Sequence, residues 1–258
     1  MTTKNIVFVH GMYMNGESWN PWIQQAQTRG FKSTAPSWPF HKGLPEYLRN
    51  NIDPRLGKLR FKDIVDFYKG HIESLTERPL LIGHSIGGLV VQKLVNDGYA
   101  EAAVAISSAP PQGVFTLAPE FFKANFPHIN PFKGNEPVIM TKERFHYTFC
   151  NTQTQESSDL DFEKYVVPES RNVPRSTLTS QAKIKFKKDH VPLLLIGGEK
   201  DNLIPLSLVE TNFKKYRKSL GTIGFQKFAN RSHFICNQEG WEEIADASFT
   251  WFDTHQGA

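Results

Sequence analysis

The stretch LLIGHSIGGLV, residues 80–90, decides how the rest of the chain is read. An apolar run stops at Gly83, a single serine stands between Gly83 and Gly87, and an apolar run resumes. The first run has strand length and the second continues with helical spacing, which predicts a strand over 79–85 and a helix over 86–98. A turn that sharp leaves no room for side chains beside it, and glycines at 83, 87 and 88 remove the collision. Ser85 is thereby pushed out above the carboxyl end of the strand, where open α/β sheets build their ligand sites. A Gly-x-Ser-x-Gly match arises by chance in roughly one chain in ten of this length. The strand before it and the helix after it give it the setting of a nucleophile elbow.

Working outward, apolar runs of strand length recur with helical patterns between them. NIVFVHG (5–11), FKSTAPSW (31–38), AAVAISSAP (102–110), VPLLLIGGEKD (191–201) and GFQKFANRSH (224–233) read as five more strands. Helices are expected over 20–30, 61–75, 207–220 and 240–255, the second carrying Ile64, Phe67, Tyr68, His71 and Leu75 on one face. Strands that are continuously rather than alternately apolar are buried on both faces. The expected fold class is therefore three-layer α/β, with a six-stranded, mostly parallel sheet covered by helices on both faces.

One interval breaks the alternation. From 112 to 189 no strand is evident, and Phe115, Phe121, Phe122, Phe126, Phe132, Phe145, Tyr147, Phe149, Phe162 and Tyr165 are interspersed with prolines. A structureless loop of that length is unusual inside a compact domain. The interval is expected to be an inserted helical cap (112–189) over a core formed by 1–111 and 190–258. Its rings would build the cap's own small core, with several facing a ligand cavity.

Composition narrows the function classes. Among 258 residues, 39% are hydrophobic and 22% charged, which is ordinary for a globular chain. A formal net charge of +4 is too mild to imply a nucleic-acid partner. The basic runs KIKFKKDH (183–190) and KKYRK (214–218) read as solvated surface. Cys150 and Cys236 cannot make a disulfide framework. No run of about 18 apolar residues is present to span a membrane, and the start lacks the apolar region of a signal peptide. A reducing cytoplasm is the expected location. Neither HExxH nor paired Cys/His spacing occurs, so no metal is expected. SSDLDFE (157–163) is not a full calcium loop.

The chemistry follows from Ser85. A serine hydroxyl needs a base to take its proton. His233, just past the last strand, is the candidate; His84 precedes the serine and should point away from it. A carboxylate must fix the imidazole tautomer, and Asp201 lies farther past its strand than Glu199, where it can reach the histidine loop. Developing negative charge on oxygen needs backbone donors. The Ile86 amide follows the serine. A second amide should come from HGMYMNGESW, with Met12 favoured and Tyr13 as the substitute.

The segments FVHGMYMNGESW, LLIGHSIGG, GGEKDNLIP and RSHF together resemble the α/β-hydrolase superfamily, and they span the chain from residue 8 to residue 234. The resemblance implies Ser85, Asp201 and His233 as catalytic triad in the family's chain order, Met12 and Ile86 as oxyanion donors, and no cofactor. Many members carry an antiparallel hairpin before the first motif. Only four residues precede the first strand here, which resembles the short-sheet plant methylesterases and hydroxynitrile lyases. Ser232 departs from the pattern, since many members have Gly before the histidine.

Hydrolysis of a small to medium apolar carboxylic ester is the activity expected from the triad, with Tyr13, Phe115 and Phe234 as substrate contacts. The lyases of the subgroup have a threonine near the position of Gly11 and a lysine after the histidine. Gly11 and Phe234 supply neither. Perhydrolysis and a non-catalytic ligand receptor are the remaining alternatives, whereas epoxide hydrolases and haloalkane dehalogenases need a carboxylate in place of Ser85.

Overall fold

The computed structural model describes residues 4–130 and 132–255. The outermost residues of the expected core, 1–3 and 256–258, lie outside that range. Six strands form one sheet: β1 (Asn5–Val9), β2 (Lys32–Thr34), β3 (Leu80–His84), β4 (Ala102–Ile106), β5 (Leu193–Gly198) and β6 (Ile223–Phe228). Their spatial order is β2-β1-β3-β4-β5-β6, and every pairing is parallel. The order reverses beside β1, placing a topological switch point between the carboxyl ends of β1 and β3.

Successive side chains on a strand point to opposite faces, and both faces are apolar. Ile6, Phe8, Leu80, Ile82, Leu194 and Ile196 pack against helices α1 (Asn20–Thr28) and α10 (Trp241–His255), through residues such as Trp22, Phe249 and Phe252. Val7, Val9, Leu81, Ala103, Leu193 and Leu195 face the other way. They pack against α3 (Phe61–Glu73), α4 (Ile86–Asp97) and α9 (Leu206–Tyr216). Before α3 come a short helix α2 (Pro45–Asn50) and a 3-10 turn at Pro54–Lys58, neither of which has an apolar period long enough to be read from sequence.

Between β4 and β5 the described residues form four α-helices, α5 (Pro119–Ile129), α6 (Lys142–Thr148), α7 (Gln155–Tyr165) and α8 (Asn172–Thr177). Their apolar residues do not make a separate core. Phe145, Phe149, Phe162, Tyr165 and Val173 belong to the same buried cluster as the α3/α4/α9 face of the sheet. Phe115, Phe122, Phe126 and Phe132 turn outward instead, with Phe132 95% exposed. On α5, Phe122 and Phe126 are four residues apart on the outer face, while Ala124 and His128 are buried.

Every strand stops earlier than the expected stretch, β2, β4 and β6 by four or five residues. β4 ends at Ile106 because Ser107 takes φ +41° and turns the chain away. β6 ends at Phe228, so His233 sits five residues into the following loop rather than at a strand terminus. The Trp22 indole N–H donates to the Cys236 carbonyl at 2.8 Å, tying that loop to α1.

Candidate active site

Ser85 joins β3 to α4 with φ +57° and ψ −121°. A non-glycine residue there stores strain of order 1–3 kcal/mol, which the surroundings must hold. They do so through backbone bonds: the Ser85 amide donates to Ile106 O at 3.0 Å, and Ser85 O accepts from Ala109 N–H at 2.9 Å. The glycines are obligatory by contact. A Cβ on Gly87 would lie 2.2 Å from Val9 O, and one on Gly83 would lie 2.3 Å from Gly87 O. A Cβ on Gly11 would fall 2.9 Å from the Ser85 Cβ, so the loop after β1 lies directly on the serine.

The structure brings the three residues expected to act together into one relay. The Ser85 hydroxyl donates to His233 Nε2 at 2.9 Å, and His233 Nδ1 donates to Asp201 Oδ2 at 2.7 Å. A carboxylate facing Nδ1 places the proton there and leaves Nε2 free to accept. The other Asp201 oxygen, Oδ1, accepts from the Leu203 and Ile204 amides at 2.9 and 2.7 Å. The carboxylate is thus fully engaged and cannot rotate. His233 has no exposed surface, and Ser85 is only 5% exposed.

Several residues that sequence reasoning missed hold this relay. His84 Nε2 donates to the His233 carbonyl at 2.8 Å, and the two rings lie 4.6 Å apart. The His84 ring thus lies beside the His233 ring and supports that loop through its carbonyl. Phe149 packs edge-on against the His233 ring at 4.9 Å, and its carbonyl accepts the Phe234 amide at 2.9 Å. Gln238 Oε1 accepts from both the amide and the hydroxyl of Ser232, at 3.0 and 2.9 Å. Serine at 232 therefore gains a partner for its hydroxyl six residues on. Only the His-before-Ser pattern was available in sequence, and nothing in it specifies a bond to a carbonyl 149 residues away.

The expected oxyanion donors occupy suitable places. Ile86 is the first residue of α4, so its amide lies ahead of any helical acceptor. No backbone acceptor among the described residues takes the Met12 amide. The Tyr13 amide, by contrast, donates to Glu169 Oε2 at 3.3 Å. That engagement favours Met12 over Tyr13 as the free donor.

The expected substrate contacts are placed differently. Phe234 is buried, its ring 5.7 Å from those of Phe145 and Tyr165, so it fills the seam between the sheet and the inserted segment. Phe115 is 74% exposed and faces outward. The Tyr13 phenol is buried and hydrogen-bonded to His128 Nδ1 at 2.7 Å. Phe234 and Tyr13 are thus consumed by packing and Phe115 is turned to solvent, outcomes that composition cannot distinguish. Among the described residues no group of three or more His, Cys, Asp or Glu side chains could hold a metal ion.

Three buried histidines give the fold a pH dependence. Burial lowers His84 and His10 well below the ordinary histidine value, reinforced by the neighbouring imidazoles of His233 and His41 respectively. Burial, aided by the Arg144 and Arg171 charges, brings His128 down to about 3. These groups stay neutral in the folded chain and protonate on unfolding below about pH 6.5. The unfolded state then binds more protons, so stability present above pH 6.5 is lost as pH falls, by about 1.4 kcal/mol per pH unit for each such group. Urea midpoints measured from pH 8 to pH 4 should be flat above 7 and fall steeply below 6.5. A midpoint unchanged down to pH 5 would contradict the assignment of these histidines as neutral.

A parallel sheet with a strained serine at its switch point and an Asp–His relay behind it is the architecture of an α/β-hydrolase. The chain belongs to the alpha/beta hydrolase family, whose model matches residues 6–247. Among solved structures it is similar to a monoacylglycerol lipase from Paleococcus ferrophilus, at 20% identity and TM-score 0.67, covering 98% of this chain and 96% of that one. It is also similar to polyneuridine aldehyde esterase, at 17% identity and TM-score 0.68, covering 96% and 99%. A methylesterase from Arabidopsis shares 15% identity and TM-score 0.68, covering 98% and 100%. No curated protein matches the chain in sequence. Among the described residues no helix is long and apolar enough to cross a membrane.

Proposed function

We propose that this chain hydrolyses carboxylic esters of small to medium, apolar acyl or alcohol groups through an acyl-enzyme on Ser85. The observation that carries the reading is the unbroken relay from Asp201 through His233 to the Ser85 hydroxyl. Ser85 Oγ attacks the acyl carbon while His233 Nε2 accepts its proton. The tetrahedral oxyanion is held by the Met12 and Ile86 amides. Collapse breaks the acyl–oxygen bond, and His233 returns the proton to the departing alcohol. Water then attacks the acyl-enzyme, with the same nitrogen acting as base and then acid, releasing the carboxylic acid and restoring Ser85.

Two further observations support esters over cyanohydrins. Gly11 offers no hydroxyl at the loop that touches Ser85, and Phe234 places a buried ring where a cation would be needed for cyanide. The esterase and lipase names of the similar structures point the same way. Residues 112–189 act as a cap on the core formed by 1–111 and 190–258. The test is a series of p-nitrophenyl esters from acetate to laurate. Hydrolysis well above buffer, with a maximum at short or medium chain length, is expected. Absence of turnover on every member would favour a receptor on this fold.

A further inference from the structure

A buried Glu169–His41 pair lies outside the relay. Glu169 and His41 have no exposed surface, and Glu169 Oε2 is 3.2 Å from His41 Nε2. His41 Nδ1 faces the Pro39 carbonyl at 3.0 Å, which can only accept, so that nitrogen carries a hydrogen. Glu169 Oε1 accepts from the Ser170 amide at 2.8 Å. Burying such a polar pair carries a desolvation cost that apolar residues of the same shape would not. A positional role for the pair is therefore to be sought in what else it touches.

It touches Tyr13. This residue has φ +62°, a left-handed conformation that is unusual for a bulky side chain. Three bonds from the inserted segment hold it there. Its amide donates to Glu169 Oε2 at 3.3 Å, its carbonyl accepts from the Val167 amide at 3.0 Å, and its phenol meets His128 Nδ1 at 2.7 Å. Met12 immediately precedes it. Freeing Tyr13 would let its φ relax to negative values and swing the Met12–Tyr13 turn.

We infer that Glu169, clamped by His41, is a positioning residue that sets the oxyanion loop by holding Tyr13 in its left-handed conformation. The inference rests on the proposed role of the Met12 amide. It makes the inserted segment part of the catalytic apparatus, because the second donor is aimed from residues 167–169.

The Glu169→Gln variant separates charge from shape. If its amide oxygen keeps the Ser170 bond, its NH₂ group faces Tyr13 N–H and cannot accept from it. Loss of one oxyanion donor lowers turnover by about 10²-fold or more. With p-nitrophenyl butyrate, kcat of Glu169→Gln should fall about 10²-fold while KM stays within about threefold, as expected for a contact made only in the transition state. The inhibition constant of 1,1,1-trifluoroheptan-2-one, which forms a tetrahedral adduct on serine, should rise by the same factor as kcat/KM falls. A merely structural role would lower the melting temperature and leave both ratios unchanged. If Glu169→Gln does not fold, the Glu169→Gln/His41→Gln double variant, which replaces both members of the pair together, carries the same test. Native kcat and native inhibitor affinity in a folded variant would overturn the inference. Full activity of Ser85→Ala would instead refute the underlying reading, so the two failures are distinct.

Discussion

Ser85→Ala is expected to lower kcat on p-nitrophenyl butyrate by about 10⁶-fold, with the protein still folded. The hydroxyl makes one hydrogen bond, to His233, and alanine removes it without adding atoms. The backbone strain at φ +57° remains in the variant, since it is held by Ile106 O and the Ala109 amide rather than by the side chain. Stability should therefore change little while chemistry stops. Because the relay acts as a unit, His233→Ala should cost a similar factor, and the double variant should be no worse than either single one. Steady-state rates of the three proteins, compared at equal folded concentration by circular dichroism, check this. Retention of more than about one-hundredth of native kcat by Ser85→Ala would exclude an acyl-enzyme on this residue.

Asp201→Asn should cost about 10⁴ in kcat while the fold is kept. The direction follows from where the two carboxylate oxygens point. Oδ1 receives the Leu203 and Ile204 amides, so an asparagine will place its carbonyl oxygen there. Its NH₂ group is then left facing His233 Nδ1, in the place now held by Oδ2. A donor in that position makes Nδ1 the acceptor and moves the ring proton to Nε2, where it faces the serine hydroxyl. The imidazole stays in place in the wrong tautomer. Turnover by pre-steady-state and steady-state kinetics should show a slow acylation step with KM nearly unchanged. A loss smaller than about tenfold would mean that Asp201 does not set the tautomer.

The elements that carry the chemistry are punctuated by residues with one structural use, which is why so much could be read from sequence. Gly83, Gly87 and Gly88 announce the turn at Ser85, and each is in contact with backbone or Ser108 where a Cβ would collide. The apolar runs at 6–9, 80–84, 102–106 and 193–198 are buried along their whole length, matching a sheet covered on both faces. The family assignment rests on the same features. By contrast, His84 and His233 lie 149 residues apart, and Glu169 and His41 lie 128 apart. His233 is legible through its place after the last strand, but His84, His41 and Glu169 are polar side chains in a loop or at a strand end, and in sequence none of these differs from a solvated residue. Only the folded chain, which brings the loop after β6 against the end of β3 and residue 169 of the inserted segment against His41, turns them into buried partners.

The aromatic residues of 112–189 show the same limit from another side. Composition marks the interval as apolar and helical, and four helices are present. Whether a given ring packs inward, like Phe145, or outward, like Phe122, depends on the rotation of short helices with weak periodicity. Helices α6 and α8 have seven and six residues, less than two full turns, so no sequence period can define their inner face. Phe115 precedes α5 and Phe234 lies in the loop between β6 and α10, so neither sits on an element whose period could tell in sequence which way its ring faces.

The most direct measurement is covalent labelling by a fluorophosphonate, followed by peptide mass spectrometry. The account predicts one phosphonyl group per chain, on the peptide containing Ser85, with labelling lost in Ser85→Ala and strongly slowed in His233→Ala. Labelling of a different residue, or equal labelling of native protein and Ser85→Ala, would contradict it.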